Sequence, residues 1–396
     1  MNMLKKINLD ILLLIFFSSA SALIVSSLTS SIPILREYFS NIENSTTLIP
    51  KIIFTSPCLG FAMSCFAVGA LIDKVKKYKL FFIIGCLACL LFGMEFPIFQ
   101  NLNSAKYSRF FLGIGVAILV VCANSYSRIS LNTYDRIRFA SFSLAGSFII
   151  SIFAVIFGYL ANFISPIAPF FIYIAYFFAL IFLWNSNIQN NINISKEDCE
   201  VINIKINLKA LMIIYLSAFI NAFIFVAIES NVPIMVSEIG FSILEISLIN
   251  ILSTFISGIV AFSFDKIKKS NNRCFNFAIF YFIISILHFS LYFGGKSIYF
   301  IYIFTIINAV PKTLTTVHSI RWYIQISSSK NIGKISSLFL TSMFCGCFSF
   351  VLFDQYFLSN VPILSKFTIT SIVAFIFSMY LYIFSKKEKF YETKRV

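Results

Sequence analysis

The sequence predicts an all-α integral membrane protein with twelve transmembrane helices in two pseudo-symmetric six-helix bundles. Three observations predict it. Of the 396 residues, 59% are hydrophobic and 12% charged, where a soluble domain carries roughly 25% charged residues. Too little polar surface remains to cover the apolar residues, which excludes a soluble globular enzyme. It also excludes intrinsic disorder, which needs low hydrophobicity. The apolar runs are continuous and about twenty residues long, enough for a helix to cross about 30 Å of hydrocarbon, and unlike the alternating strands of about ten residues in a membrane barrel. Finally, Lys and Arg collect in every second gap between the runs.

The spans follow in order from their polar borders. The first, 10–35, begins like a secretory signal, with Lys5 and Lys6 ahead of an apolar run and Ser19-Ala20-Ser21-Ala22 resembling a cleavage site. The run continues to Leu35, too far for such a segment, so it reads as an uncleaved helix. The second, 51–72, stops before Asp73 and Lys74, and the third, 80–98, starts after Lys79. The fourth, 107–127, ends before Arg128; the fifth, 139–164, starts after Arg138; the sixth, 167–184, follows Pro166. These make a first half, 1–184. The longest polar interval, 185–209, reads as a cytoplasmic linker. The second half, 210–385, holds 210–229, closed by Glu229, then 242–264, 276–294, 298–320, 336–356 and 365–385. A cytoplasmic tail, 386–396, ends the chain.

With the N-terminus in the cytoplasm, 24 of the 31 basic residues fall on the inner side, including Lys5, Lys6, Lys74, Lys76, Lys77 and Lys79. Arg36, Lys51, Lys106, Lys296 and Lys366 fall outside, and Arg109 and Lys312 lie within spans. Short cytoplasmic loops carry such an excess. Both termini are therefore expected in the cytoplasm of a multi-pass protein of the cell inner (plasma) membrane, with an even number of crossings. The net charge of +15 belongs to those loops, and no nucleic-acid partner is expected. Seven of the nine cysteines (Cys58, Cys65, Cys86, Cys89, Cys122, Cys345, Cys347) lie in apolar runs and read as small hydrophobes. Cys86-x-x-Cys89 has redox spacing but no strand–helix–strand context. No metal or cofactor is expected.

Two segments repeat. Gly69-Ala70-Leu71-Ile72-Asp73-Lys74-Val75-Lys76-Lys77 aligns without a gap with Ala261-Phe262-Ser263-Phe264-Asp265-Lys266-Ile267-Lys268-Lys269, 192 residues on. A loop that merely collects lysine would explain the lysines, but not Asp73 and Asp265 at one register in a chain with 16 acids. Parallel repeats of this kind mark a large class of secondary transporters, which hold substrate near the bilayer midplane between the halves.

Gly69-x-x-x-Asp73-Lys74-x-x-Lys77 resembles a signature of the major facilitator superfamily, and Arg109-x-x-x-Gly113-x-Gly115-x-Ala117 resembles a second. The stretch from Pro33 through the second loop is similar to the drug and metabolite:proton antiporter branch. The resemblance implies alternating access and no enzyme activity. Lys74 replaces the usual Arg, losing a bidentate contact, and Lys76 stands where a turn glycine is usual, implying a loop built differently. The glycine–proline pair of exporters is missing from the fifth span, as is the acid many drug exporters carry in the first.

These features set the candidate sites. Asp73 ends the second span on the side where the eleventh begins near Ser336. A carboxylate there would meet the partial positive charge of a helix N-terminus. By the repeat, Asp265 would face the start of the fifth span near Phe139. Gly69, Asp73, Lys74, Lys77, Asp265 and Lys266 are therefore expected to form a conformational latch, the alternative being ordinary loop solvation. A charge within a span costs at least about 2.5–3.5 kcal/mol at the bilayer centre and so faces the interior or a wet cavity. Glu229, Lys312, Arg109, His318 and Asn124 are the expected substrate and proton pathway. Lys312 either binds substrate or pairs with Glu229, and Arg109 either lines the pathway or clamps backbone carbonyls. Tyr126, Asn221, Asn308 and Gln325 could add polar contacts. Glu95 and Asp354 are expected at the interface, and His288 as a hydrogen-bonded filler.

The expected function is proton-coupled secondary transport of a small organic solute, anionic or zwitterionic, by a monomer whose partners are solute, protons and lipid. The alternatives are a multidrug/proton antiporter, a carboxylate-siderophore transporter, or a membrane sensor or assembly partner that moves nothing.

Overall fold

The computed structural model describes residues 9–29, 31–43, 48–99, 102–130, 133–189, 208–264, 272–326 and 332–392, and the regular structure among them is helical. In chain order the helices are α1 (Leu9–Ser18), α2 (Ala20–Thr29), α3 (Ile32–Glu43), α4 (Leu48–Val75), α5 (Tyr78–Phe99), α6 (Leu102–Ser130) and α7 (Thr133–Asn162). A 3₁₀ turn (Ala168–Ile174) leads into α8 (Ala175–Trp184). Then come α9 (Leu208–Glu238), α10 (Ile243–Ser263), α11 (Arg273–Gly294), α12 (Ile298–Ile326), α13 (Ile332–Phe357) and α14 (Ile363–Glu392).

Ten of these, α4–α7 and α9–α14, are long and apolar enough to cross a membrane by length and composition. The first and sixth expected spans differ. The first is broken: α1 and α2 meet at 49°. At the break, the Ser18 hydroxyl donates to the Ile15 carbonyl at 2.9 Å and that of Ser19 to the Ser143 carbonyl of α7 at 3.1 Å. Serine side chains that bond backbone in this way compete with the helix and bend it. The sixth starts as a 3₁₀ turn because Pro169 stands at its entry, where a ring without an N–H suits a first turn only. The seventh is longer than its sequence border suggested. α9 runs past Glu229 to Glu238, so Glu229 lies inside the helix and not at its end.

The pairings of the helices recur along the chain. α4 packs on α6 as α10 packs on α12, and α5 packs on α6 as α11 packs on α12. α5 packs on α8 as α11 packs on α14, and α7 lies on α1 and α2 as α13 lies on α9. The most extensive contacts between the earlier helices and the later ones are α4 with α13, and α7 with α10.

Glycines set the closest approaches. A Cβ at Gly60 of α4 would strike the Phe110 carbonyl of α6, and one at Gly113 of α6 would strike the Pro57 carbonyl of α4. Gly346 of α13 meets the Phe219 carbonyl of α9 in the same way. Small residues let helix backbones touch where apolar burial gives no driving force. The α4–α13 seam runs from stacked Phe61 and Phe344 rings, 3.9 Å between centroids, through a 3.4 Å hydrogen bond from the Thr341 hydroxyl to the Ala62 carbonyl. It ends where a Cβ built at Gly69 would lie 3.4 Å from Ser337 Cβ. Outside these contacts, Leu91, Phe153, Ile181, Phe262, Phe293 and Ile376 are exposed, apolar side chains suited to lipid.

Candidate functional site

On α9, Asn221, Phe225 and Glu229 recur at four-residue steps, and on α12 so do Asn308, Lys312 and Thr316. Such steps put each set on one helix face. The two helices pack together. The Asn221 amide donates to the Thr316 hydroxyl at 2.9 Å. Farther along, Lys312 Nζ lies 3.8 Å from Glu229 Oε1, with side chains 21% and 17% exposed. The same ammonium sits 3.6 Å from the Phe225 ring centroid, a cation–π contact. Glu229 also accepts a hydrogen bond from Thr29 of α2. Three helices that are far apart in sequence thus converge on one carboxylate. Asn308 completes the face: it is buried, and its Oδ1 has no hydrogen-bond partner.

A second ion pair gives the comparison. Lys366 Nζ of α14 lies 2.6 Å from Asp354 Oδ1 of α13, with side chains 8% and 3% exposed. Asp354 is therefore buried and paired, and Lys366 belongs to the first turn of α14. At 2.6 Å the pair is a charge-assisted hydrogen bond. At 3.8 Å, Glu229 and Lys312 attract without that bond and keep some access to solvent. The first geometry fastens; the second leaves both groups able to take another partner.

Arg109 stands apart from Glu229 and Lys312. Fully buried in α6, it donates from Nε to the Ile53 carbonyl of α4 at 3.2 Å and from Nη2 to the Ile24 carbonyl of α2 at 3.2 Å. Its Nη1 donates to the Tyr173 hydroxyl. Its guanidinium lies over the Phe170 and Tyr173 rings, 5.6 Å from each centroid. Of the two expected roles, this is the geometry of the clamp. His318 is buried among aromatic rings, with Phe277 nearest at 4.8 Å between centroids. His288 is fully buried, its Nδ1 2.8 Å from the Thr370 hydroxyl of α14. Asn124 is half-buried on α6.

Of the latch residues, Gly69 abuts Ser337 near the start of α13, and Asp73, Lys74 and Lys77 are exposed at the end of α4. Asp265 and Lys266 lie outside the described residues. Lys76 carries a φ of 55°, and its N–H closes onto the Ile72 carbonyl at 2.9 Å. A left-handed turn of the kind glycine favours is here made by lysine. Thr29 and Phe225 are absent from the sequence-based site. The four-residue step from Asn221 to Glu229 points to Phe225; no sequence signal singles out Thr29 among the hydroxyls of the first span.

The profile of the Major Facilitator Superfamily matches residues 11–349. The chain belongs to the major facilitator superfamily. No curated protein matches it. Members of the superfamily are membrane transporters and not enzymes, so this chain is a multi-pass membrane transporter.

Proposed function

We propose that this major facilitator protein is a secondary active transporter that moves a small anionic or zwitterionic organic solute across the inner membrane, coupled to protons. Glu229 and Lys312 form its central site. One observation carries the reading: an ion pair within the spans, held 3.8 Å apart and partly solvent-accessible, where burial makes an unpaired charge costly. A solute carboxylate on Lys312 would release Glu229 from its internal ion pair, and Glu229 is the carboxylate in the pair that can carry a proton.

In this reading the chain crosses the membrane twelve times, the broken first span and short sixth span included. Residues 1–184 and 210–385 form two six-helix bundles joined by the linker 185–209, with tail and linker in the cytoplasm. The recurring pairings support it, because those named above in the first half each have a counterpart six spans on. The bundles meet along α4–α13 and α7–α10, and rocking there gives alternating access. Asp73, one turn beyond the Gly69–Ser337 contact, acts with Lys74 and Lys77 as the latch, and Asp265 with Lys266 as its counterpart.

The test is uptake of a solute panel into proteoliposomes with and without an imposed pH gradient. Gradient-stimulated accumulation of an organic anion or zwitterion is expected. Flux that ignores the gradient would remove proton coupling, and absence of flux for every solute would remove the transport reading of the site.

A further inference from the structure

We infer that the solute is a zwitterion with an N–H-bearing ammonium and a carboxylate, an amino-acid-like compound; the inference rests on the reading of Glu229 and Lys312 as the solute site. The site holds one negative and one positive side chain, 3.8 Å apart. A lone anion on Lys312 would leave the Glu229 carboxylate facing it, and a lone cation on Glu229 would leave Lys312 unmatched. A zwitterion replaces the internal pair with two external ones and leaves the buried charge balance unchanged. The exchange is favoured by the separation, since no hydrogen bond between the pair has to be broken.

Asn308 supplies an independent observation. It lies one helical turn from Lys312 on the same face of α12, its residue is 4% exposed, and Oδ1 is a buried acceptor without a partner. A buried carbonyl oxygen left unmatched is costly. Glu229 and Asn308 Oδ1 both accept hydrogen bonds, whereas Lys312 only donates. Two acceptors and one cationic donor match an ammonium with several N–H groups next to a carboxylate. They do not match a quaternary ammonium, which has no N–H to give.

The experiment is counterflow in proteoliposomes of the full chain with matched sets. Alanine, leucine, phenylalanine, glutamine and ornithine are each compared with the 2-hydroxy acid, the deaminated acid, the decarboxylated amine and the N-trimethylated form of the same skeleton. At least one amino acid is expected to exchange at least about tenfold faster than its four counterparts. Asn308→Ala, checked for unchanged thermal unfolding, is expected to raise its half-saturation concentration about tenfold, as for the loss of one hydrogen bond to a charged group. Hydroxy acids, simple carboxylates or amines moving as well as the amino acids, with flux still lost in Lys312→Met, would overturn the zwitterion and leave the transport reading standing. No exchange by any compound would overturn both, and a half-saturation concentration unchanged in Asn308→Ala would remove the ammonium contact.

Discussion

Lys366 reaches across from α14 to place its ammonium 2.6 Å from the Asp354 carboxylate of α13, and neither side chain retains more than a trace of surface. Removing one partner of a buried pair leaves an uncompensated charge and costs about 3–5 kcal/mol, whereas replacing both with apolar groups is often neutral. Asp354→Leu alone should therefore lower the unfolding temperature of the detergent-solubilised protein sharply, and Asp354→Leu with Lys366→Met should restore most of it. A double variant as unstable as the single one would show that the pair is not the reason for the loss.

Glu229→Gln keeps the shape of the side chain and removes its charge. We expect this variant to reach the membrane at normal level and to exchange solute across proteoliposomes at equal pH only at raised solute concentration, because the charged partner of the solute ammonium is gone. It should lose accumulation driven by a pH gradient. Full gradient-driven uptake by Glu229→Gln would take this carboxylate out of the coupling step.

A Cβ at position 69 would stand 3.4 Å from that of Ser337, close to the Cβ separation of about 3.5–4.5 Å in disulfides. Gly69→Cys with Ser337→Cys, in a background whose native cysteines are replaced, should cross-link on mild oxidation. The cross-linked protein should stop transporting and recover on reduction. Unimpaired flux while cross-linked would mean that α4 and α13 need not part there.

The guanidinium of Arg109 serves two backbone carbonyls and the Tyr173 hydroxyl. Tyr173→Phe removes one of these bonds, a loss of about 1.5–3 kcal/mol for a hydrogen bond to a charged group. Arg109→Lys cannot span the three acceptors and should be the more destabilising. Equal unfolding temperatures for Arg109→Lys and wild type would dispose of the clamp.

Lys76 holds a left-handed conformation with φ of 55°, which costs a residue with a Cβ roughly 1–2 kcal/mol and glycine little. Lys76→Gly should raise the unfolding temperature and leave solute selectivity unchanged. A fall would show that the lysine side chain contributes more than the turn it strains.

Much of this architecture is legible in the sequence because lipid imposes a simple rule: twenty apolar residues, then a polar break. The rule is weakest where local chemistry competes with hydropathy. Ser18 and Ser19 are small and unremarkable in a hydropathy reading, yet their hydroxyls bond carbonyls and break the first span. Glu229 reads as a helix end because charge usually stops a span, but Lys312 and Thr29 satisfy it and α9 continues. The charges of the site could be picked out one by one. Their pairing could not, since nothing in the order of residues says that Lys312 meets Glu229 while Arg109 turns to the carbonyls of Ile24 and Ile53. The pairing of Lys366 with Asp354 is hidden for the same reason: the two lie on different helices.

Gly60 and Gly113 each sit against a carbonyl of the other's helix, so no side chain cushions α4 from α6 at these two points. A swing of α4 must drag α6 with it, and Arg109 then carries the motion on to α2 and the Phe170–Tyr173 turn. What happens at the far tip of α4, beside Ser337, is in this way geared to α2, whose last residue, Thr29, touches Glu229. In the proposed mechanism the latch and the Glu229 carboxylate are thereby two ends of one lever.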